Sequence, residues 1–194
     1  PISSLLEGYK ESNKAEMNFQ ALFSHHAGIQ PWLPFYRNTL RDNSDIPSKK
    51  LYRKKQKKRH KVQVTDDLYL RTKYLEEMKE EIVDSPLLDS IYYKYSDLPF
   101  YMFKEYIEAR YGQRMDMLVD KEYYQPIGAS SLGYLPLKEV NVDHIVPSEI
   151  DDYYRHTEIQ GYVHDMGAAM QNGVGGHAGS VSYTHLTLQT SQLV

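Results

Sequence analysis

Tyr95, Ser96 and Asp97 stand where a loop meets a helix-forming segment. A tyrosine hydroxyl at a cleft edge can pass a proton, and a neighbouring carboxylate can bias that transfer. The same residues also have a purely structural use: Tyr95 can pack, and Asp97 can cap the following helix, with Pro99 in its first turn. His156, His164 and His177, with Asp152 and Asp165, are residue types that bind metals. His156 and His164 lie eight apart and form no close pair on a helix face. Satisfied structural histidines are therefore the expectation, with no metal and no cofactor. His25 and His26 are adjacent, so in regular structure they point different ways. Gly173 to Gly179 could cradle a phosphate, but it lacks the Walker lysine and a preceding apolar strand. A tight bend where backbone meets backbone is the simpler reading.

Nine cations crowd the stretch from Lys49 to Lys61. Such a run could grip phosphates. Tyr52 is its one interleaved aromatic, and the acidic remainder offsets its charge, so a solvated loop is expected rather than a nucleic-acid site.

These groups need elements to position them. Residues 1–23 suggest one or two short helices, and Gly28, Pro31 and Pro34 make residues 24–34 a loop. Thr65 or Asp66 can cap a helix running to about Val83, with Leu68, Leu75, Met78 and Ile82 as its buried stripe. Glu76, Glu77, Glu80 and Glu81 form its wet side, and Ser85-Pro86 ends it. A second helix starts at Asp97, buries Phe100, Phe103 and Ile107, and closes at Gly112. A third covers about Met115 to Tyr123. Residues 128–146 carry Pro, Gly and Ser with little periodicity. The chain thus reads as mainly helical with long ordered loops, which in compact domains tend to line sites.

The 194 residues include 23 basic and 26 acidic ones, for a net charge of −3, and 41% are hydrophobic. This describes one globular domain without the overall basicity of a nucleic-acid binder. No apolar run approaches the roughly 20 residues of a membrane span. The absence of cysteine excludes disulfides, thiolate metal sites and a cysteine nucleophile. Tyrosine outnumbers phenylalanine 18 to 5, which suits half-buried cleft walls. The chain opens on Pro1 rather than Met, which predicts a processed or truncated start. Val181-Ser182-Tyr183-Thr184-His185-Leu186-Thr187-Leu188 resembles translated sequencing adapter. Residues 181–194 are accordingly expected to be a non-native tail and residues 1–180 a partial domain.

Two resemblances bear on function. Asp143-His144-Ile145-Val146-Pro147 resembles the start of an HNH nuclease site, but the next asparagine, Asn172, falls in a Gly-rich stretch rather than on a helix. The broader likeness is to the penicillin-recognising serine hydrolases, on the branch of class C β-lactamases and D-alanyl-D-alanine carboxypeptidases. It is carried by an ordered set of short segments that spans most of residues 1–179. Leu22-Phe23-Ser24-His25-His26-Ala27-Gly28 resembles the family's Leu-Leu-Ser/Thr-His segment. Tyr95-Ser96-Asp97-Leu98 resembles its Tyr-x-Asn box. Gly112-Gln113 through Tyr124-Gln125-Pro126-Ile127-Gly128 follows its pattern, as do Gly161-Tyr162-Val163-His164-Asp165 and Gly173-Val174-Gly175-Gly176-His177-Ala178-Gly179.

The resemblance implies an α+β parent fold of the β-lactamase/transpeptidase type, of which this chain would hold mostly the helical part. It implies acyl transfer from an amide or ester, with a serine in a Ser-x-x-Lys box as nucleophile. Tyr95 would match the family's proton-handling tyrosine. Asp97 stands where asparagine is usual; ionised, it only accepts hydrogen bonds, whereas an amide also donates. No Ser-x-x-Lys occurs in the chain, so the isolated chain is expected to be inert. The resemblance further implies a small-molecule or peptide-like substrate, a periplasmic or cell-envelope location and a possible upstream glycoside-hydrolase domain. The alternatives are a binding module presenting a Tyr-rich loop face, or a nucleic-acid binder acting through Lys49–Lys61.

Overall fold

A computed structural model describes residues 1–129 and 131–181. Runs of helices and three small antiparallel sheets are grouped along the chain, so the fold is mixed α+β. Helix still exceeds strand, at 33% against 15%, and the small sheets add to the helices and loops expected from the sequence.

The first 17 residues form turns and two single-turn helices that lay Ile2, Leu6 and Tyr9 into the core. Helix α1 (Phe19–Phe23) follows, started by the Asn18 side chain, which accepts the Ala21 N–H at 2.7 Å. Strands β1 (Tyr52–Arg53), β2 (His60–Thr65) and β3 (Leu68–Arg71) form an antiparallel sheet in the order β1-β3-β2. In β2, Val62 and Val64 are buried and Lys61 is exposed, the alternation of a strand with one face on a core. The helix expected from Thr65 to Val83 is thus only partly present. Its first part is strand, a turn at Asp66-Asp67, and strand again, and Leu68 belongs to β3. The i, i+7 spacing of Leu68 and Leu75 imitated a helical stripe across a strand boundary.

Helix α2 (Tyr74–Asp84) buries Tyr74, Met78 and Ile82 at four-residue spacing and ends before Pro86. Helix α3 (Leu98–Tyr111) has the expected bounds, and Gly112 closes it in the left-handed conformation at φ 62°. Its buried line is Leu98, Met102 and Phe103, with Phe100 and Ile107 only half-buried. Helix α4 (Met115–Val119) runs on into a wider turn through Tyr124. Strand β4 (Gly133–Tyr134) pairs with β7 (Ser180–Val181), and β5 (Glu149–Asp151) pairs with β6 (Thr157–Ile159). Helix α5 (Met166–Ala169) lies between β6 and β7.

One hydrophobic core runs from Ile2 to Met170 and includes the buried faces of α2, α3, β2 and β3. Val181, where the foreign tail is expected to begin, pairs with Gly133. Residues 182–194 of that expected tail lie outside the described residues.

Candidate functional site

The segments quoted for the family resemblance are distant in sequence, yet four of them meet around the start of α3. His25 adopts a left-handed backbone at φ 61°. Its carbonyl accepts the Lys94 N–H at 3.0 Å, and its Nδ1 accepts the Ser96 N–H at 3.2 Å. The Ser96 hydroxyl donates to the Gln30 carbonyl at 2.6 Å, and the Asp97 N–H donates to the Pro31 carbonyl at 2.9 Å. Residues 25–31 and 94–97 are thereby laced together. The expected capping role changes hands: Asp97 makes no side-chain cap, and buried Ser96 instead accepts the Leu98 N–H at 3.2 Å. The Asp97 carboxylate instead lies beside the Tyr95 hydroxyl.

Tyr95 is 53% exposed. Its ring lies against the His25 imidazole with centroids 4.6 Å apart. Partial burial, then the Asp97 and Asp165 carboxylates, push the Tyr95 hydroxyl above its ordinary value. The group is therefore a protonated phenol at neutral pH, and the shift makes it hold that proton more tightly than an ordinary tyrosine. Asp97 and Asp165 share the wall of a small cavity of about 50 Å³ with Trp32, Tyr36 and Tyr101. That volume holds a water or two, since one water takes about 30 Å³.

Asp165 is set by two hydrogen bonds to one oxygen, and the segment before it is held by Arg155. Its Oδ1 accepts the Ala168 N–H at 2.7 Å, which starts α5. The same oxygen accepts from His177 Nε2 at 2.8 Å. Behind it, the Arg155 guanidinium, with no exposed side-chain area, donates to the Val163 and His164 carbonyls at 2.7 Å each. Arg155 is itself paired with Asp151 at 2.5 Å and Glu149 at 2.9 Å. Burial raises the Asp165 carboxyl, but the His177 bond and charge and the Ala168 and Gly167 amides outweigh it, leaving the carboxyl below the usual carboxylate range.

His177 stacks on Tyr101, with centroids 4.6 Å apart and planes at 20°. Its side chain is 4% exposed, and its Nδ1 is buried without a partner. The Gly-rich bend delivers it there. A Cβ on Gly176 would sit 2.2 Å from the Phe100 carbonyl oxygen, so only glycine lets this loop touch α3. The bend is packing against helix backbone, in line with the simpler reading.

Sequence reasoning singled out Tyr95 and Asp97, and the structure puts them together. It did not assign Asp165, His177, His25 or Tyr101 to the site. The signal available was polar residues set in short Gly- and Ala-rich text, which is where a buried pair must be held by close backbone contact. The other candidates separate. His156 Nε2 contacts the Asp45 carbonyl at 2.7 Å, His164 is exposed near Glu149, and no cluster of three metal-binding side chains occurs among the described residues. The Asn172 side chain is taken up by the Gln63 N–H at 2.9 Å, while His144 is exposed. No helix among the described residues is long and apolar enough to cross a membrane. No family model, curated protein or solved structure matches the chain.

Proposed function

We propose that this chain is the central part of a β-lactamase-related serine hydrolase, which moves the acyl group of an amide or ester onto a serine and then to water. The observation that carries the reading is the half-exposed, protonated Tyr95 beside Asp97 and Asp165, built by four segments that resemble that family in the same order. The Ser-x-x-Lys pair must come from outside these residues, because the chain contains none. In the assembled site, the lysine would take the serine proton as the serine oxygen bonds to the carbonyl carbon. Tyr95 would give its proton to the departing nitrogen or oxygen. Asp97 offers only acceptor oxygens, so it would hold a substrate N–H or O–H and not a carbonyl. The substrate would be a peptide-like or ester molecule, and the parent a cell-envelope protein of α+β β-lactamase type that can follow a glycoside-hydrolase domain.

Two results test this. Sequencing the locus across both ends should reveal an in-frame Ser-x-x-Lys box upstream of Pro1; a locus without one overturns the reading. In the polypeptide that carries the box, a fluorescent penicillin or an activated ester should label the serine. Tyr95→Phe should slow turnover by about 10²- to 10⁴-fold, the usual worth of a positioned proton donor. The present chain alone should take no label at any residue.

A second reading rests on Ile91, Tyr92 and Tyr93, exposed at 77%, 50% and 60% next to Tyr95. Such an aromatic face suits a binding module. It requires ligand binding by this chain without turnover in any longer form.

A further inference from the structure

We propose that the basic loop joining β1 to β2 is a docking face for an anionic phospholipid surface. The inference stands apart from the hydrolase reading and uses none of its residues.

Residues 49–61 hold nine of the chain's 23 basic residues and none of its 26 acidic ones. All nine are exposed: Lys49, Lys50, Arg53, Lys54, Lys55, Lys57, Lys58, Arg59 and Lys61. None forms an ion pair among the described residues, although Lys10, Lys79, Lys104 and Lys121 elsewhere each do. The nearest acids on the sheet, Asp66 and Asp67, occupy the β2–β3 turn, where Asp66 takes the Tyr162 hydroxyl at 2.6 Å and Asp67 takes the Thr65 hydroxyl at 3.4 Å.

The array is also held in shape. Lys57 and His60 exchange both backbone hydrogen bonds at 3.0 Å, which fixes Lys58 and Arg59 at the tip of a turn. The Arg59 carbonyl accepts the Thr72 N–H at 2.9 Å, and the Leu51 carbonyl accepts the Arg71 N–H at 2.8 Å. These bonds pin the loop to β3. Like charges fixed this close repel one another. His60 is held below its ordinary range chiefly by burial, with smaller contributions from Arg53 and Arg59 of the array and from Arg71 on β3. A polyanionic surface relieves that repulsion.

The side chains choose among polyanions. Seven of the nine cations are lysine, a point charge suited to headgroup phosphates; arginine, with its flat fork, predominates where bases are read. Tyr52, the one aromatic in the stretch, is buried, so no ring is offered for base stacking. Arg53 ends β1, Lys61 lies at the near end of β2 and the other seven cations lie in loop and turn, so among the described residues the array presents no helix to a DNA groove. Juxtaposed lysines on a rigid loop match the polybasic clusters that adhere to acidic leaflets.

The test is sedimentation of the whole chain with phosphatidylglycerol vesicles and with phosphatidylcholine vesicles. Binding is expected only to the former and should weaken as salt is raised. The quadruple variant Lys54→Glu, Lys55→Glu, Lys57→Glu, Lys58→Glu changes exposed side chains only and should keep the circular dichroism of the parent. It should lose at least about tenfold in vesicle affinity, given the worth of each cation near an acidic leaflet. Lys10→Glu with Lys121→Glu alters total charge by less but away from the loop, and should leave binding unchanged. Failure to bind phosphatidylglycerol vesicles, equal binding to both vesicle types, full binding by the quadruple variant, or preference for duplex DNA at equal salt each overturns the proposal.

Discussion

At the residue scale, the pair Asp165–His177 ties two distant segments to the start of α3. The pair has a thermodynamic signature. The folded Asp165 carboxyl lies below its unfolded value, so it binds its proton less readily when folded. The stability it contributes is present above its unfolded pKa of about 4 and is lost as pH falls through the folded value. Urea midpoints measured from neutral pH downward should fall for the parent chain. Asp165→Asn should be less stable at pH 7 and should show a shallower acid decline. An identical acid limb in the two proteins would remove Asp165 from this role. Tyr95 and Asp97 were legible in the sequence as a dipeptide-spaced pair at a helix start. The Asp165–His177 bond was not, because the partners lie twelve positions apart across Gly-rich chain and only tertiary contact with α3 sets their distance. The exchange of capping from Asp97 to Ser96 was hidden for a similar reason. Both side chains can cap, and what decides is the Gln30 carbonyl that orients the serine.

At the element scale, α3 was readable because its signals are local: Pro99 at the start and Gly112 at the end. Nothing lies within 4 Å of a Cβ placed on Gly112, so its requirement is purely one of backbone conformation. Gly112→Ala should lower stability by about 1 kcal/mol, with Gly112→Asn costing less, since asparagine tolerates the left-handed region. Chemical denaturation of the three proteins measures this, and an alanine variant as stable as the parent refutes it. The three-stranded sheet was unreadable for the converse reason. β1 has two residues and β3 four, too short to show alternation, and their order β1-β3-β2 depends on pairing rather than on any single strand.

At the scale of the whole molecule, side chains fasten the early and late parts of the described residues onto their middle. Lys14 has no exposed surface, and its ammonium donates to the Ser85 carbonyl at 2.6 Å, the Val83 carbonyl at 3.1 Å and Asn13 Oδ1 at 2.8 Å. It thus holds the first 17 residues onto the end of α2. Burial lowers its pKa to about 8, with Asp84 opposing. Lys14→Met keeps the stem's volume and leaves those carbonyls unpaired, at about 1–3 kcal/mol. The loss should appear as a lower urea midpoint, together with faster amide exchange at Leu5 and Leu6. A variant at parental stability would show that water replaces the ammonium. At the other end, Asn172 closes β2 by accepting the Gln63 N–H. That bond spans 109 residues, and the Tyr52–Tyr154 hydroxyl contact at 2.8 Å spans 102. Closing loops of that length is slow, because their entropy is lost before any contact compensates for it. On the ribosome the sheet must wait, its edge unsealed, until residue 172 has left the exit tunnel. While the 109 residues between them are made, β2 is therefore a strand without its final partner, and chaperones have that interval in which to act.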